Sequence, residues 1–337
     1  MSEPRTPEPI PTEEAVTRPE GTLRKAAPKF ALLGETRSQR MFSDEGLLGV
    51  FLCLFTYYLC KYFVGHALLW MAAPFFSQWS GGVARLWGEM LEEGAGVAGA
   101  LVPAFLMARL EGRRFDVYGL PRRQAFGKAF WTGGVWGLAT LSLLLAGLRG
   151  LHAFDFGGVV LHGARAWKFA LFWGVFFVLV GIAEEFSSRG YTQYTLARGT
   201  GFWPAAVLLS LRFGWIHVDN PGETWLGLLG VVAIGFFFCL TLYRTGNLWF
   251  AVGFHAFWDW GQTYLYSVPD SGTTEAGHLM RPSFQGPDWL TGGSAGPEGS
   301  VLCLVAIAAV SGVFAWRHRE VRYGAGAGNE NPHPSGA

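Results

Sequence analysis

Long apolar runs alternate with short polar connections along most of this chain, from residue 46 to residue 316. Eight of the runs are close to the ~20 residues that an α-helix needs to cross ~30 Å of hydrocarbon. They cover residues 46–64, 94–110, 128–148, 167–187, 202–218, 224–243, 247–267 and 299–316. The pattern therefore predicts an all-α polytopic membrane protein with about eight transmembrane helices, in a membrane domain over residues 46–318.

The stretches outside these runs are predicted to be tails or short surface pieces. Residues 1–45 are rich in proline, glutamate and arginine and lack an apolar core, which predicts a disordered cytoplasmic tail. A flexible C-terminal tail is predicted for residues 319–337. Segment 66–76 is short and interrupted by a proline, so we interpret it as a re-entrant or interfacial connection. Segment 82–92 is predicted to be a short amphipathic helix on the surface.

Composition supports the membrane class. Half of the 337 residues are hydrophobic and only 15% are charged, which is typical of polytopic membrane proteins. The formal net charge is +1 and the basic residues lie beside apolar runs, so no nucleic-acid partner is expected. The four cysteines all lie in apolar segments, where they behave as small hydrophobes, and we assign them no catalytic role.

The basic residues also predict an orientation in the membrane. They concentrate in the N-terminal tail and in every second connection, whereas the opposite connections are acidic or rich in Gly, Pro and Ser. Cytoplasmic connections of membrane proteins carry an excess of Lys and Arg. An even number of spans with both termini cytoplasmic satisfies this bias, which Arg149 and Arg165 weaken slightly.

Two adjacent carboxylates, Glu184 and Glu185, follow the apolar run 176–183. A charge at membrane depth costs at least ~2.5–3.5 kcal/mol, so such residues usually have a function. Neighbours on a helix point ~100° apart, whereas Glu185 and Arg189 at i, i+4 share a face and can form an ion pair. Glu184 is then left to face the bundle interior as the working carboxylate. The alternative is that all three charges lie at the membrane interface where the span ends.

Two later spans each carry an i, i+4 pair that contains a histidine: Phe213 with His217, and His255 with Asp259. Glu184 and His217 lie at similar distances from the predicted turn at 197–201, ~20–24 Å at 1.5 Å per residue, so they can meet at one depth. His255 and Asp259 lie only ~13–20 Å beyond the predicted turn that precedes their span, so their depth matches that of Glu184 and His217 less well. His217 alone also fits an interfacial histidine, whereas a buried imidazole such as that of His255 needs partners.

Together these residues form three motifs in order on consecutive predicted spans. Glu184, Glu185 and Arg189 fit E-E-x-x-x-R, Phe213 and His217 fit F-x-x-x-H, and His255 and Asp259 fit H-x-x-x-[N/D]. The chain thereby resembles the CAAX protease and bacteriocin-processing (CPBP) family of intramembrane proteases, which is related to type II CAAX prenyl proteases. The resemblance covers roughly residues 115–267.

The resemblance implies an endopeptidase fold of eight helices with an intramembrane active site. In it, Glu184 and His217 would activate water, while His255 and Asp259 would serve the oxyanion of the tetrahedral intermediate. Glu185, Arg189 and Phe213 would support the site. Many members carry Asn where this chain has Asp259; an ionised Asp only accepts hydrogen bonds, so Asp259 is expected to orient His255 instead. Ser187 and Ser188 replace bulky apolar residues that are common in the family.

The sequence leaves alternatives open for the cofactor, the substrate and the function class. We favour no cofactor, although Glu184, His217, His255 and Asp259 could also hold zinc, without the H-E-x-x-H pattern of many zinc proteases. Other classes are a non-catalytic membrane scaffold or immunity protein and a transporter or proton channel. The expected partners are the lipid bilayer and a membrane protein or lipidated peptide; no feature selects a prenyl group. The expected location is a bacterial inner (cytoplasmic) membrane, with multiple spans.

Overall fold

The computed structural model describes residues 46–76 and 82–323, and these residues are mostly helical. The helices are α1 Leu47–Phe76, α2 Gly82–Leu110, α3 Lys128–Gly150, α4 Gly163–Arg189, α5 Tyr191–Thr200, α6 Phe202–Trp215, α7 Trp225–Thr245, α8 Trp249–Trp260, α9 Asp288–Thr291 and α10 Val301–Arg317. Two short strands, β1 Phe154–Asp155 and β2 Ser283–Phe284, pair antiparallel. The predicted tail 1–45 and residues 324–337 of the C-terminal tail lie outside the described residues.

The prediction of an all-α polytopic membrane protein is confirmed. Within the described part of the chain, five helical stretches are long and apolar enough to cross a membrane, and α10 is a shorter apolar helix. The seventh predicted span corresponds to α8 together with a π-helical continuation over Gly261–Tyr266. α6 ends at Trp215, so it is shorter than predicted.

Two local predictions from the sequence are wrong. Segment 66–76 is no separate connection, because α1 continues through it to Phe76; Pro74 lies in the last turn, where it interrupts little of the helical hydrogen bonding. Segment 82–92 is no separate surface helix either, because it forms the first turns of α2. The i, i+4 ion pair between Arg85 and Glu89, with 3.0 Å between Nε and Oε1, supports the helix there.

A bend at Gly190 separates α4 from α5, which the sequence did not predict. A side chain at this position would place its Cβ 2.5 Å from the carbonyl oxygen of Phe186, so only glycine fits. The predicted turn near residues 197–201 is present, but it joins α5 to α6. Glu184 and His217 are therefore positioned by three helices and not by one straight hairpin.

α8 is held by close contact with α3, and it also packs against α4. A Cβ added to Gly137 of α3 would lie 2.3 Å from the carbonyl oxygen of Phe254, and one added to Gly253 of α8 would lie 2.0 Å from that of Phe130. Glycines at such crossings let helix backbones approach directly, as in many membrane bundles. The helix that carries His255 and Asp259 thus has a fixed position against its neighbours.

The connections gather at two opposite ends of the bundle. At one end the amide of Leu248 donates to Gly119 over 2.7 Å, and Tyr191 and Arg198 donate to the buried carboxylate of Glu111. At the other end β1 pairs with β2, and the indole of Trp173 donates to the carbonyl oxygen of Ala276. Connection 216–224 also contacts connection 267–300 there. Alternate connections therefore lie at the same end, as a bundle of antiparallel spans requires.

Candidate active site

One cavity of about 350 Å³ collects the four residues that were predicted to be catalytic. Glu184 comes from α4, His217 from the turn after α6, and His255 and Asp259 from α8. Its apolar wall includes Trp173, Phe177 and Phe254, among other residues. The fold therefore brings together groups that lie as far apart in the sequence as Glu184 and Asp259.

The two adjacent carboxylates of α4 have different surroundings. The Glu184 side chain is 35% exposed and lines the cavity, whereas Glu185 is fully buried. Arg189, also fully buried, donates from Nη1 to Oε1 of Glu185 over 2.9 Å. A buried ion pair of this kind depends on both partners, because removing one leaves an uncompensated charge.

His255 lies between carboxylates on both sides of its ring. Its Nδ1 donates to Oε1 of Glu185 over 3.0 Å. Its Nε2 is 3.3 Å from Oδ2 of Asp259 and 3.9 Å from Oε2 of Glu184. Glu185 thus binds both Arg189 and Nδ1 of His255. The spacing of the motifs did not reveal the contact with His255. The nitrogen that faces Glu184 is Nε2, and Asp259 lies beside the same nitrogen.

The phenylalanine of the second motif links the first motif to His217. The guanidinium of Arg189 lies 4.2 Å from the centre of the Phe213 ring, and the rings of Phe213 and His217 are 4.7 Å apart. His217 lies two residues beyond the end of α6, in a turn, and donates from Nδ1 to the carbonyl oxygen of Phe213 over 2.6 Å. That hydrogen bond fixes the tautomer of the neutral ring and leaves the lone pair on Nε2.

Besides Glu89, Glu93 and Glu275, two acidic residues that the sequence interpretation missed line the cavity close to Asp259. Asp270 and Glu298 belong to connection 267–300, and their carboxylate oxygens lie within 4.8 Å of each other and of Asp259. Glu298 accepts from the indole of Trp258 and from the amide of Gln262, over 2.8 and 2.9 Å. Burial raises the pKa of the Asp270 carboxyl, and the nearby Asp259 and Glu298 raise it further. No local sequence signal marks them, because acids in a Gly- and Pro-rich connection usually face solvent.

The four predicted zinc ligands do not form one cluster of donor atoms among the described residues. Across residues 46–76 and 82–323, the donors that converge within 4.8 Å are the carboxylates of Asp259, Asp270 and Glu298. Three oxygen donors suit hard cations such as calcium or magnesium, whereas zinc prefers nitrogen and sulfur. Neither histidine belongs to this group, and Nδ1 of His255 is taken by Glu185. We therefore derive no catalytic step through zinc.

The fold and this cavity define a multi-pass membrane protein with a site of carboxylates and histidines inside the bundle. Comparison with known families gives the class: residues 166–261 match the family model described as type II CAAX prenyl endopeptidase Rce1-like. The match contains all three motifs and confirms the resemblance that they predicted. It supports an intramembrane protease of the CAAX type in an integral membrane protein. No curated protein and no solved structure matches the chain.

The buried ion pair gives a first prediction. Replacement Arg189→Ala removes the cation that compensates the buried charge of Glu185 and leaves this carboxylate with the hydrogen bond from His255. We expect a loss of about 3–5 kcal/mol in the free energy of unfolding. Thermal unfolding of the purified protein in detergent measures this loss. The double replacement of Glu185→Gln with Arg189→Ala removes both charges and should regain part of the stability.

A matched control is Arg322→Ala, which removes an exposed ion pair to Glu320. Exposed pairs contribute about 0–1 kcal/mol, so this variant should unfold close to the wild-type temperature. Equal unfolding temperatures for Arg189→Ala and Arg322→Ala would contradict the structural role of the buried pair.

Proposed function

We propose that the chain is an intramembrane endopeptidase that hydrolyses peptide bonds of membrane-associated or lipidated substrates, with Glu184 and His217 activating water and His255 and Asp259 serving the oxyanion. The observation that supports this most is that all four line one cavity within the helical bundle. A non-catalytic scaffold would not need these four polar groups together in an apolar bundle, where each is costly.

In the proposed mechanism, Glu184 and His217 activate the attacking water. Glu184 is the carboxylate with access to the cavity, so it can accept the proton of a water molecule as general base. Nε2 of His217 carries a lone pair, because Nδ1 donates to Phe213. It can therefore accept a hydrogen bond from the same water.

His255 is proposed to stabilise the oxyanion through Nε2. Donors that are already oriented toward the developing charge act most effectively in a site that excludes bulk water. Glu185 fixes Nδ1, so the ring cannot turn away. Asp259 lies 3.3 Å from the same nitrogen, Nε2, and holds the ring at the end opposite to the Glu185 contact. Asp259 is thus a positioning residue in this scheme. The Asn that many relatives carry at this position could instead donate to the oxyanion itself.

Glu184→Gln, His217→Ala and His255→Ala are each expected to abolish peptide hydrolysis while leaving a folded protein, because chemistry and not packing requires these groups. Loss of a general base typically lowers the rate by ~10²–10⁴-fold. The measurement compares membrane peptides that accumulate in cells carrying each variant, together with thermal unfolding of the purified proteins.

The control for these variants is Asp219→Asn, an exposed acid in the turn that carries His217 and outside the cavity lining. It should retain the peptide pattern of the wild type. Wild-type turnover by Glu184→Gln would contradict the assignment of the general base.

Asp259→Asn separates the metal-free mechanism from a metal-dependent one. Asn can donate to the oxyanion directly, so we expect substantial activity in this variant. Exhaustive chelation should not reduce that activity. If Asp259 were a metal ligand, the same change should weaken metal binding by about tenfold or more. Chelator-sensitive activity of the wild type that returns with added zinc would overturn the metal-free proposal.

The orientation of the bundle is also proposed: both termini lie in the cytoplasm, and the membrane is a bacterial inner membrane. The basic residues of connection 111–127 and of segment 317–322 support this side. Reporters fused after Arg319 and inserted within 111–127 should both report the cytoplasm, whereas one inserted at Gly292 should report the opposite side. A cytoplasmic signal at Gly292 would contradict the arrangement.

A further inference from the structure

Another cavity, of about 430 Å³, lies between α1, α2 and α6. It is a groove lined by Lys61 and Tyr58 of α1, Arg212 of α6, and small residues of α2 such as Gly96 and Gly99. The catalytic cavity, by contrast, is lined by several acidic residues and, within the described chain, by no lysine or arginine. The two cavities therefore differ in the sign of their charge.

Lys61 is a cation in the middle of a membrane-spanning helix. It lies about 20 Å from either end of α1 at 1.5 Å per residue. Its Nζ donates to Oγ of Ser187 over 2.5 Å. No carboxylate of residues 46–76 and 82–323 forms an ion pair with it, although Glu184, one turn before Ser187 on α4, is close enough to interact electrostatically.

Arg212 is a second cation that faces the same groove. Its guanidinium lies 5.3 Å from the centre of the Tyr58 ring. It forms no ion pair with any carboxylate in the part of the chain that the structure describes; Glu92, which also lines the groove, is exposed. Arg212 and Lys61 repel each other. Two like charges in one intramembrane groove are costly, and an anion bound between them would remove that cost.

We propose that Lys61 and Arg212 form a subsite that binds a carboxylate of the peptide substrate while the scissile bond lies at Glu184. The inference rests on the proposed function. Ser187 holds Lys61 one helical turn from Glu184, so a bound carboxylate lies beside the reacting centre. The acidic catalytic cavity repels an anionic group, which favours its placement in the groove. Phospholipid phosphates lie near the membrane surface, whereas Lys61 is at the middle of its helix, so the substrate is the favoured source of the anion.

Binding to the full-length protein in phosphatidylcholine nanodiscs tests this subsite. The probes are three dansyl-labelled apolar decapeptides: one with a free C-terminal carboxylate, one with a C-terminal amide, and one amidated peptide with a single internal Glu. The Glu184→Gln variant is the receptor, so cleavage does not interfere, and fluorescence anisotropy gives each Kd. We expect at least one carboxylate peptide to bind about tenfold more tightly than the neutral peptide.

The two carboxylate peptides distinguish a terminal carboxylate from a side-chain carboxylate. Adding Lys61→Met or Arg212→Met to the receptor should abolish the preference, and Lys61→Arg should retain it. Lys168→Met, an exposed lysine near the start of α4, is the control and should leave the preference unchanged. Thermal unfolding of each variant shows whether it is folded; the charge-retaining Lys61→Arg variant keeps the test decisive if Lys61→Met does not fold.

Three outcomes would overturn the subsite. The first is equal binding of all three peptides by the receptor. The second is a preference that survives both Lys61→Met and Arg212→Met. The third is competition by phosphatidylglycerol in the nanodisc that abolishes peptide preference, which would assign the groove to a lipid phosphate. Hydrolysis by Glu184→Gln would contradict the proposed catalytic function instead, and it would leave the binding result standing.

Discussion

The buried ion pair between Glu185 and Arg189 is the interaction on which the site depends. Glu185 accepts from Arg189 and from His255, and Arg189 lies against the ring of Phe213, which in turn contacts His217. One pair on α4 therefore positions a residue of α8 and a residue that follows α6. Because unpaired charges inside an apolar bundle are costly, this arrangement also restricts how the three helices can pack.

The surrounding helices are shaped to accept the arginine. A Cβ added to Gly235 of α7 would lie 2.7 Å from Nη2 of Arg189, so a glycine leaves the space that the guanidinium fills. Phe213 and Phe238 present their rings to the same group, with Phe238 at 5.6 Å. Aromatic faces attract a desolvated cation and offset part of its loss of hydration. Phe213 thus supports the site both as a partner of Arg189 and as the residue whose carbonyl oxygen holds His217.

Charge is distributed unevenly around α4. Glu184 lines the cavity of acids and histidines, while Ser187, one turn later, accepts from Lys61 beside the cationic groove. A serine at this position differs from the bulky residues common in the family and gives the lysine a hydrogen-bond partner. The family match at residues 166–261 includes α4 but not α1, so the cationic side of α4 involves a helix outside the matched segment.

The sequence by itself determined the fold class and the family resemblance, because spans of apolar residues and motifs at i, i+1 and i, i+4 are local properties of a helix. It also predicted Glu185 as the partner of Arg189, since both lie on one face of α4. It could not predict that Glu185 also binds His255, nor that Asp270 and Glu298 join Asp259, because these contacts depend on how α8 and connection 267–300 fold onto α4. The bend at Gly190 likewise depends on a backbone conformation that residue spacing does not encode, so only the tertiary structure decided how the three motifs meet.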